Sequence, residues 1–195
     1  MSLKPHLFGA VHWSEQSLLL ILIFIYTCLV PGIGFLLLRF TGLVKNFSMP
    51  DRYDRFAPLI ICAIFNLWMW VNLKSQSQIP KLMIAFILTS IISIFIAFVF
   101  NTRIKVSLHA IGISAFCCLW LLVRLQHSDD GILQFRFSKS GLSGFHLNHL
   151  IGISFILVGW VGTTRLFLKA HEPVELYLGY FIGAISVILA FSYTF

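Results

Sequence analysis

Apolar runs of near-membrane thickness recur along this chain, and they constrain its fold more than any other feature. A helix that crosses a bilayer needs about 20 consecutive apolar residues. Six stretches approach that length: 17–38, 58–73, 80–100, 107–125, 146–163 and 174–194. The second and fifth are short, so both are expected to extend into their polar flanks. In hydrocarbon every backbone amide and carbonyl must find its partner internally, which selects helices for runs of this kind. The hydrophobic fraction of 58% exceeds the roughly 45–50% of ordinary soluble domains, and the mean hydropathy is +0.92. The expectation is an all-α polytopic membrane protein, a six-transmembrane-helix bundle forming a single domain over residues 1–195.

Several other classes fall away. The first apolar run follows a mixed polar stretch, exceeds the ~7–15 residues of a signal-peptide core and lacks a small-residue cleavage site, so it is expected to be a span. Cys28, Cys62, Cys117 and Cys118 all lie inside spans without CxxC spacing, which argues for packing residues rather than a disulfide framework or zinc site. The net charge of +7 does not point to nucleic acid, because no basic helix with interleaved aromatics accompanies it. Cations beside membrane spans set topology or meet anionic headgroups. His146 and His149 are three residues apart but lack carboxylate or cysteine companions, so no metal site is expected there.

Counting spans places the charges. If all six cross, the connections after odd-numbered spans emerge on one side. That side collects Arg52 and Arg55 from the first connection, Arg103, Lys105 and His109 from the second, and Arg165 and His171 from the third. The opposite connections, "KSQSQI" at 74–79 and 126–145, are rich in Ser, Gly and Gln and are expected to be solvated connectors.

The third odd connection is the densest. "GTTRLFLKAHEPVELYLG" (162–179) holds Arg165, Lys169, His171, Glu172 and Glu175, in a chain only 11% charged. If the sixth helix starts near His171, that residue and Glu175 stand at i and i+4 on one face. A carboxylate there fixes the imidazole tautomer and leaves the other ring nitrogen as nucleophile or base. Pro173 suits a first helical turn, and Arg165 offers a permanently charged fork for phosphate oxygens. The same residues could instead form an interfacial salt-bridge cluster capping two helices.

With these residues in view, "TRLFLKAHEPVE" resembles the third signature of the type 2 phosphatidic acid phosphatases: Ser-Arg, five residues, His, three residues, Asp. Thr164, Arg165, His171 and Glu175 stand at those positions. "VSLHA" is similar to the second signature, Pro-Ser-Gly-His, matching at Ser107 and His109. Lys45 and Arg52 have the spacing of the first signature, Lys, six residues, Arg-Pro, although Tyr53 follows in place of proline; Arg55 and Pro58 form a looser match. The resemblance spans about residues 45–190. This chain departs by Thr164 for Ser, Glu175 for Asp and Leu108 for Gly.

The resemblance implies a metal-independent lipid phosphate phosphatase with no cofactor. His171 would be the nucleophile, forming a phosphohistidine, Glu175 would orient its ring, and His109 would be the general acid. Arg165, Arg52, Arg55, Lys105, Ser107, Thr164 and Lys45 would hold the phosphate. A phosphate site at headgroup level above apolar helices implies a membrane lipid as substrate and the lipid bilayer as surroundings. Candidates are phosphatidic acid, phosphatidylglycerol phosphate, an isoprenyl pyrophosphate or lipid A phosphate. Two rivals remain: a lipid-phosphate-binding protein that kept the fold but lost the chemistry, and a redox protein with histidine-ligated haem. Nothing in the sequence sets an oligomeric state.

Orientation follows from cations. The odd-loop side carries Arg39, Lys45, Arg52, Arg55, Arg103, Lys105, Arg165 and Lys169, against Lys4, Lys74, Lys81, Arg124, Arg136 and Lys139 opposite. Setting aside Arg52, Arg55, Lys105 and Arg165 as phosphate ligands, the excess lies on the even-loop side. The positive-inside tendency then puts both termini in the cytoplasm. The resemblance agrees, implying a bacterial cytoplasmic membrane with the site on its outer face.

Overall fold

The computed structural model describes residues 21, 23–42, 44, 52–76, 79–127, 132–138 and 141–195. Among them five helices are long and apolar enough to cross a membrane, and a shorter apolar helical stretch, Ile25–Phe40, precedes them. That stretch opens with a π-helical turn, Ile25–Leu29, and continues as α1 (Val30–Phe40). Pro31 has no amide to offer the preceding turn, and the wider turn sits where the regular ladder is interrupted. Part of the first expected span lies outside the described residues, and among those described the fold is that of a helical membrane protein by helix length and composition, with five spanning-length helices and this shorter one.

The remaining helices are α2 (Phe56–Leu73), α3 (Lys81–Asn101), α4 (Leu108–His127), α5 (Leu147–Phe167) and α6 (Pro173–Thr194). A 3₁₀ turn, Tyr53–Arg55, leads into α2. As expected, the second and fifth spans run past their apolar runs into polar flanks. The connector between α4 and α5 adds an antiparallel hairpin of β1 (Ile132–Ser138) and β2 (Gly141–His146) to the expected helical fold. Leu133, Phe135 and Phe137 alternate with Gln134, Arg136 and Ser138, the period-2 signature of a strand.

Helix α6 is the axis of the bundle. Its Gly179 and Gly183 face α4, where a Cβ on Gly179 would stand 2.8 Å from both Ala110 Cβ and the Ser107 carbonyl oxygen. A Cβ on Gly183 would collide with Ser114 Oγ and the Ile111 carbonyl. Small residues four apart let two membrane helices approach backbone to backbone, where lipid gives no hydrophobic incentive to pack. Near one end, Ala97, Val106, Ile111 and Ile182 join α3, α4 and α6. Toward the other, Leu82, Leu119, Val123, Leu147 and Phe191 form a core that also includes α5. Met69, Ile87 and Ile91 seat α2 on α3.

Outward-facing residues are as apolar as the core: Phe155, Ile156 and Trp160 on α5, and Phe181, Ile188 and Leu189 on α6, are exposed. Such a belt suits lipid, not water. Buried hydroxyls return to their own helices, as Thr89 Oγ1 to the Ala85 carbonyl (2.8 Å) and Ser186 Oγ to that of Ile182 (2.7 Å).

Candidate functional site

The three odd connections meet at one end of the bundle and are fastened to one another. The Arg52 guanidinium donates through Nη1 to the Arg103 carbonyl at 2.9 Å, and buried Asn101 returns a bond from Nδ2 to the Arg52 carbonyl at 2.7 Å. Three residues on, Arg55 Nη1 donates to the Val106 carbonyl at 2.9 Å. The Ser107 amide donates to the Glu175 carbonyl at 3.4 Å, which ties the head of α4 to the first turn of α6. The glycine-lined α4–α6 contact described above is what allows that backbone bond.

The turn between α5 and α6 is closed by backbone geometry at both ends. Lys169 adopts φ 50°, its amide bonds the Leu166 carbonyl at 3.0 Å, and the Ala170 amide bonds that of Arg165 at 3.1 Å. This is the paired closure of a helix ended by a left-handed residue, a place usually taken by glycine. On the other side Glu172 caps α6 in a reciprocal box with Glu175, and Pro173 occupies the first turn. The helix therefore starts at Pro173, near His171 as expected, with Glu172 in an extended conformation taking the capping role.

The expected pair forms. His171 Nδ1 lies 2.8 Å from Glu175 Oε2, which also accepts the Glu172 amide at 3.2 Å. The His171 side chain is 5% exposed and that of Glu175 18%. Among the described residues His171 Nε2 has no hydrogen-bond partner. Burial holds the imidazole below the ordinary histidine pKa; the Glu175 bond pulls it back up and the Arg55 charge pushes it down again. The Glu175 charge acts upward and that of Lys105 downward.

Arg55 and Arg52 separate into different environments. Arg55 is 7% exposed, and its Nε is buried without a hydrogen-bond partner. Glu175 and Arg165 lie within electrostatic range of it. Exposed His109, in the first turn of α4, feels Arg165, His171 and Arg55 together. Arg52 lines an open cleft of ≈ 430 Å³ with Arg103, Lys105, Glu172 and Glu175. A neighbouring cleft of ≈ 630 Å³ is lined by Lys105, Lys169, His171, Glu172 and Glu175.

Thr164 and Arg165 occupy the last turn of α5, half-buried. Among the described residues the Arg165 guanidinium and the Lys105 ammonium have no hydrogen-bond or ion-pair partner. Ser107 is fully buried and its Oγ accepts the Ala110 amide at 3.4 Å, capping α4. Lys45 lies outside the described residues. The structure thus gathers His171, Glu175, His109, Arg55, Arg165 and Lys105, and Arg52 lines a cleft that shares Lys105, Glu172 and Glu175 with that of His171.

The 3₁₀ turn is what the sequence pattern missed. Spacing matched Arg52 to the first signature, whereas the turn over Tyr53–Arg55 carries Arg55 to the buried position. At the opposite end the His146 and His149 rings are 5.9 Å apart, and no group of three or more metal-ligating side chains occurs among the described residues. No family model, curated protein or solved structure matches this chain.

Proposed function

We propose that the chain hydrolyses a phosphate monoester or pyrophosphate carried on a membrane lipid, through a phosphohistidine and without a metal. The observation that carries this reading is the 2.8 Å bond between His171 Nδ1 and Glu175 Oε2. It commits the Nδ1 proton to a carboxylate and leaves Nε2 as the lone-pair nitrogen, and the depressed imidazole pKa keeps that nitrogen unprotonated near neutral pH.

In this mechanism Nε2 attacks phosphorus while the bond to the leaving oxygen breaks. His109 protonates that oxygen, then takes a proton from the water that cleaves the phosphohistidine and releases phosphate. Glu175 stabilises the positive charge that grows on the ring. Arg55 and Arg165 face the equatorial oxygens; the unpartnered Arg55 Nε is a buried donor that a phosphate oxygen would satisfy. Lys105 adds positive charge at the mouth, and the head of α4 favours an anion beside His109.

The test is phosphate release by detergent-purified protein across phosphatidic acid, phosphatidylglycerol phosphate, isoprenyl pyrophosphate and lipid A phosphate. Turnover of at least one substrate by wild type, lost in His171→Ala, is expected; a panel with no turnover overturns the reading. One observation favours a non-catalytic lipid-phosphate binder instead: Glu175 also closes the cap of α6, so its carboxylate has a structural use. Binding of a phosphorylated lipid without release of phosphate would select that alternative. A bacterial cytoplasmic membrane with the site facing outward belongs to the same proposal. A cysteine introduced at Asn46 should react with a membrane-impermeant thiol reagent in intact cells or spheroplasts, and labelling only after lysis would reverse the orientation.

A further inference from the structure

The site end of α5 carries Arg165, yet it is the least supported element around the site. The start of α5 is embedded, with Leu147 in the core and Ser154 fully buried. From residue 155 to 167 only Gly162 is buried. The core nearest the site joins α3, α4 and α6 without α5. There Tyr180 of α6 meets α5: its hydroxyl donates to the Val158 carbonyl at 2.7 Å. A Cβ on Gly162 would collide with that hydroxyl and stand 3.4 Å from Leu176 Cδ2.

We infer that Tyr180 and Gly162 form a clasp that positions Arg165 for phosphate. Gly162 lies three residues, about one helical turn, before Arg165. Tyr180 lies five residues after Glu175 on the helix whose first turn holds the His171–Glu175 pair. The clasp therefore joins the helix that carries the phosphate-holding cation to the helix that carries the nucleophile and its orienting carboxylate. Besides the short turn that joins the two helices, this clasp is the side-chain bond between α5 and α6 near the site, so its loss loosens the end of α5 that carries Arg165. Glycine is required at 162 because a methyl group would occupy the space of the tyrosine oxygen. The Tyr180 ring supplies the spacing, and its hydroxyl supplies a direction that lipid, having no donors, cannot compete for.

This inference rests on the phosphatase reading for its functional arm, but has a second arm that does not. In hydrogen exchange, Gly162→Ala and Tyr180→Phe should speed exchange of amides 163–168 while leaving 147–154 unchanged. The double variant Gly162→Ala/Tyr180→Phe should return toward wild type, because the methyl then fills the vacated oxygen position. In kinetics, Gly162→Ala should lower kcat/KM about tenfold, mostly through KM, as expected when a ground-state phosphate contact is loosened. The same change should have no further effect in an Arg165→Ala background, since a positioning residue acts only through the group it positions.

Unchanged exchange at 163–168 in both single variants overturns the clasp. Independent, multiplying losses in Gly162→Ala/Arg165→Ala overturn its link to Arg165. If no substrate is turned over by wild type, the proposed function fails while exchange still decides whether the clasp holds α5.

Discussion

Histidines stand at both ends of this bundle, His109 and His171 at one and His127, His146 and His149 at the other, and the contrast between them shows what turns a polar membrane junction into a candidate site. At one end His109 and His171 stand among connectors that bond across elements: Arg52 to the Arg103 carbonyl, Asn101 to that of Arg52, Arg55 to that of Val106, and the Ser107 amide to that of Glu175. At the other end His146 and His149 face each other at 5.9 Å beside a hairpin. There the Ile79 amide bonds locally to the Gln76 carbonyl, and Arg124 Nε of α4 donates to Asn148 Oδ1 of α5 at 3.3 Å. A histidine does chemistry when a second group fixes its tautomer and its surroundings are held still. His171 meets both conditions through its bond to Glu175 and the connectors fastened around it.

The largest break of this comparison comes from removing one histidine at each end. His171→Ala should cut lipid phosphate release by about 10⁴-fold or more, the scale for losing a nucleophile, with thermal stability nearly unchanged. His149→Ala should stay within about twofold, since the far-end pair has no place in the mechanism. Equal losses in the two variants would show that the chemistry does not belong to the pinned end.

The next effect distinguishes Arg55 from Arg52. Arg55 is buried, holds the Val106 carbonyl with Nη1 and has a spare donor at Nε. Arg55→Ala should lower kcat/KM by about 10²–10³-fold, as for loss of an oxyanion donor. Arg55→Lys should recover little, because one ammonium cannot hold both a carbonyl and a phosphate oxygen in that geometry. Arg52→Ala, on the open cleft, should cost about tenfold or less. The reverse order would return the phosphate to Arg52.

That pair also shows where sequence reasoning reached its limit. The spans were legible because hydrocarbon imposes length and apolarity on every crossing helix. The meeting of residues 52–55, 101–109 and 165–175 followed from parity, and the His171–Glu175 contact followed from a four-residue offset. The choice between Arg52 and Arg55 depended on how a three-residue turn enters α2, which spacing alone does not encode. The hairpin was readable in the alternation of Leu133, Phe135 and Phe137, but Ser and Gly in the same connector masked it. The Gly162–Tyr180 contact required the docking of two helices whose apolar residues look alike from any side.

A subtler test uses pH. Glu175 raises the His171 pKa through its hydrogen bond and its charge, while burial, Arg55 and Lys105 lower it. In the proposed mechanism the attacking ring is neutral, so the rate should fall as pH drops through the folded-state pKa, which lies below the ordinary value of 6.5. Glu175→Gln removes upward influences, so the acid limb should move to still lower pH while the plateau drops about 10²-fold. An acid limb that moves to higher pH would mean that Glu175 does not govern this imidazole. The same linkage makes the neutral, buried imidazole a liability in acid: an unfolded chain binds the proton more readily, so His171 lowers stability as pH falls below 6.5. His171→Asn should flatten that part of the stability profile.

The smallest expected effect concerns Lys169, and it asks why strain persists at the pinned end. A residue with a Cβ at φ 50° costs about 1–2 kcal/mol in the left-handed region, a cost glycine avoids. Lys169→Gly should therefore stabilise the protein by about 1 kcal/mol, seen as a rise of a few degrees in its unfolding temperature. Lysine nevertheless occupies the position and lines the cleft with Lys105 and His171. Backbone strain retained at such a place fits a side chain kept for its charge. The glycine variant should then be more stable but bind anionic lipid about twofold to fivefold more weakly, because an exposed cation adds only modestly to attraction at the membrane surface. A Lys169→Asn variant, which tolerates the same backbone conformation without the charge, separates the two causes. If it binds as wild type does, the cleft makes no use of the lysine and the strain is only the cost of a turn that glycine would close equally well.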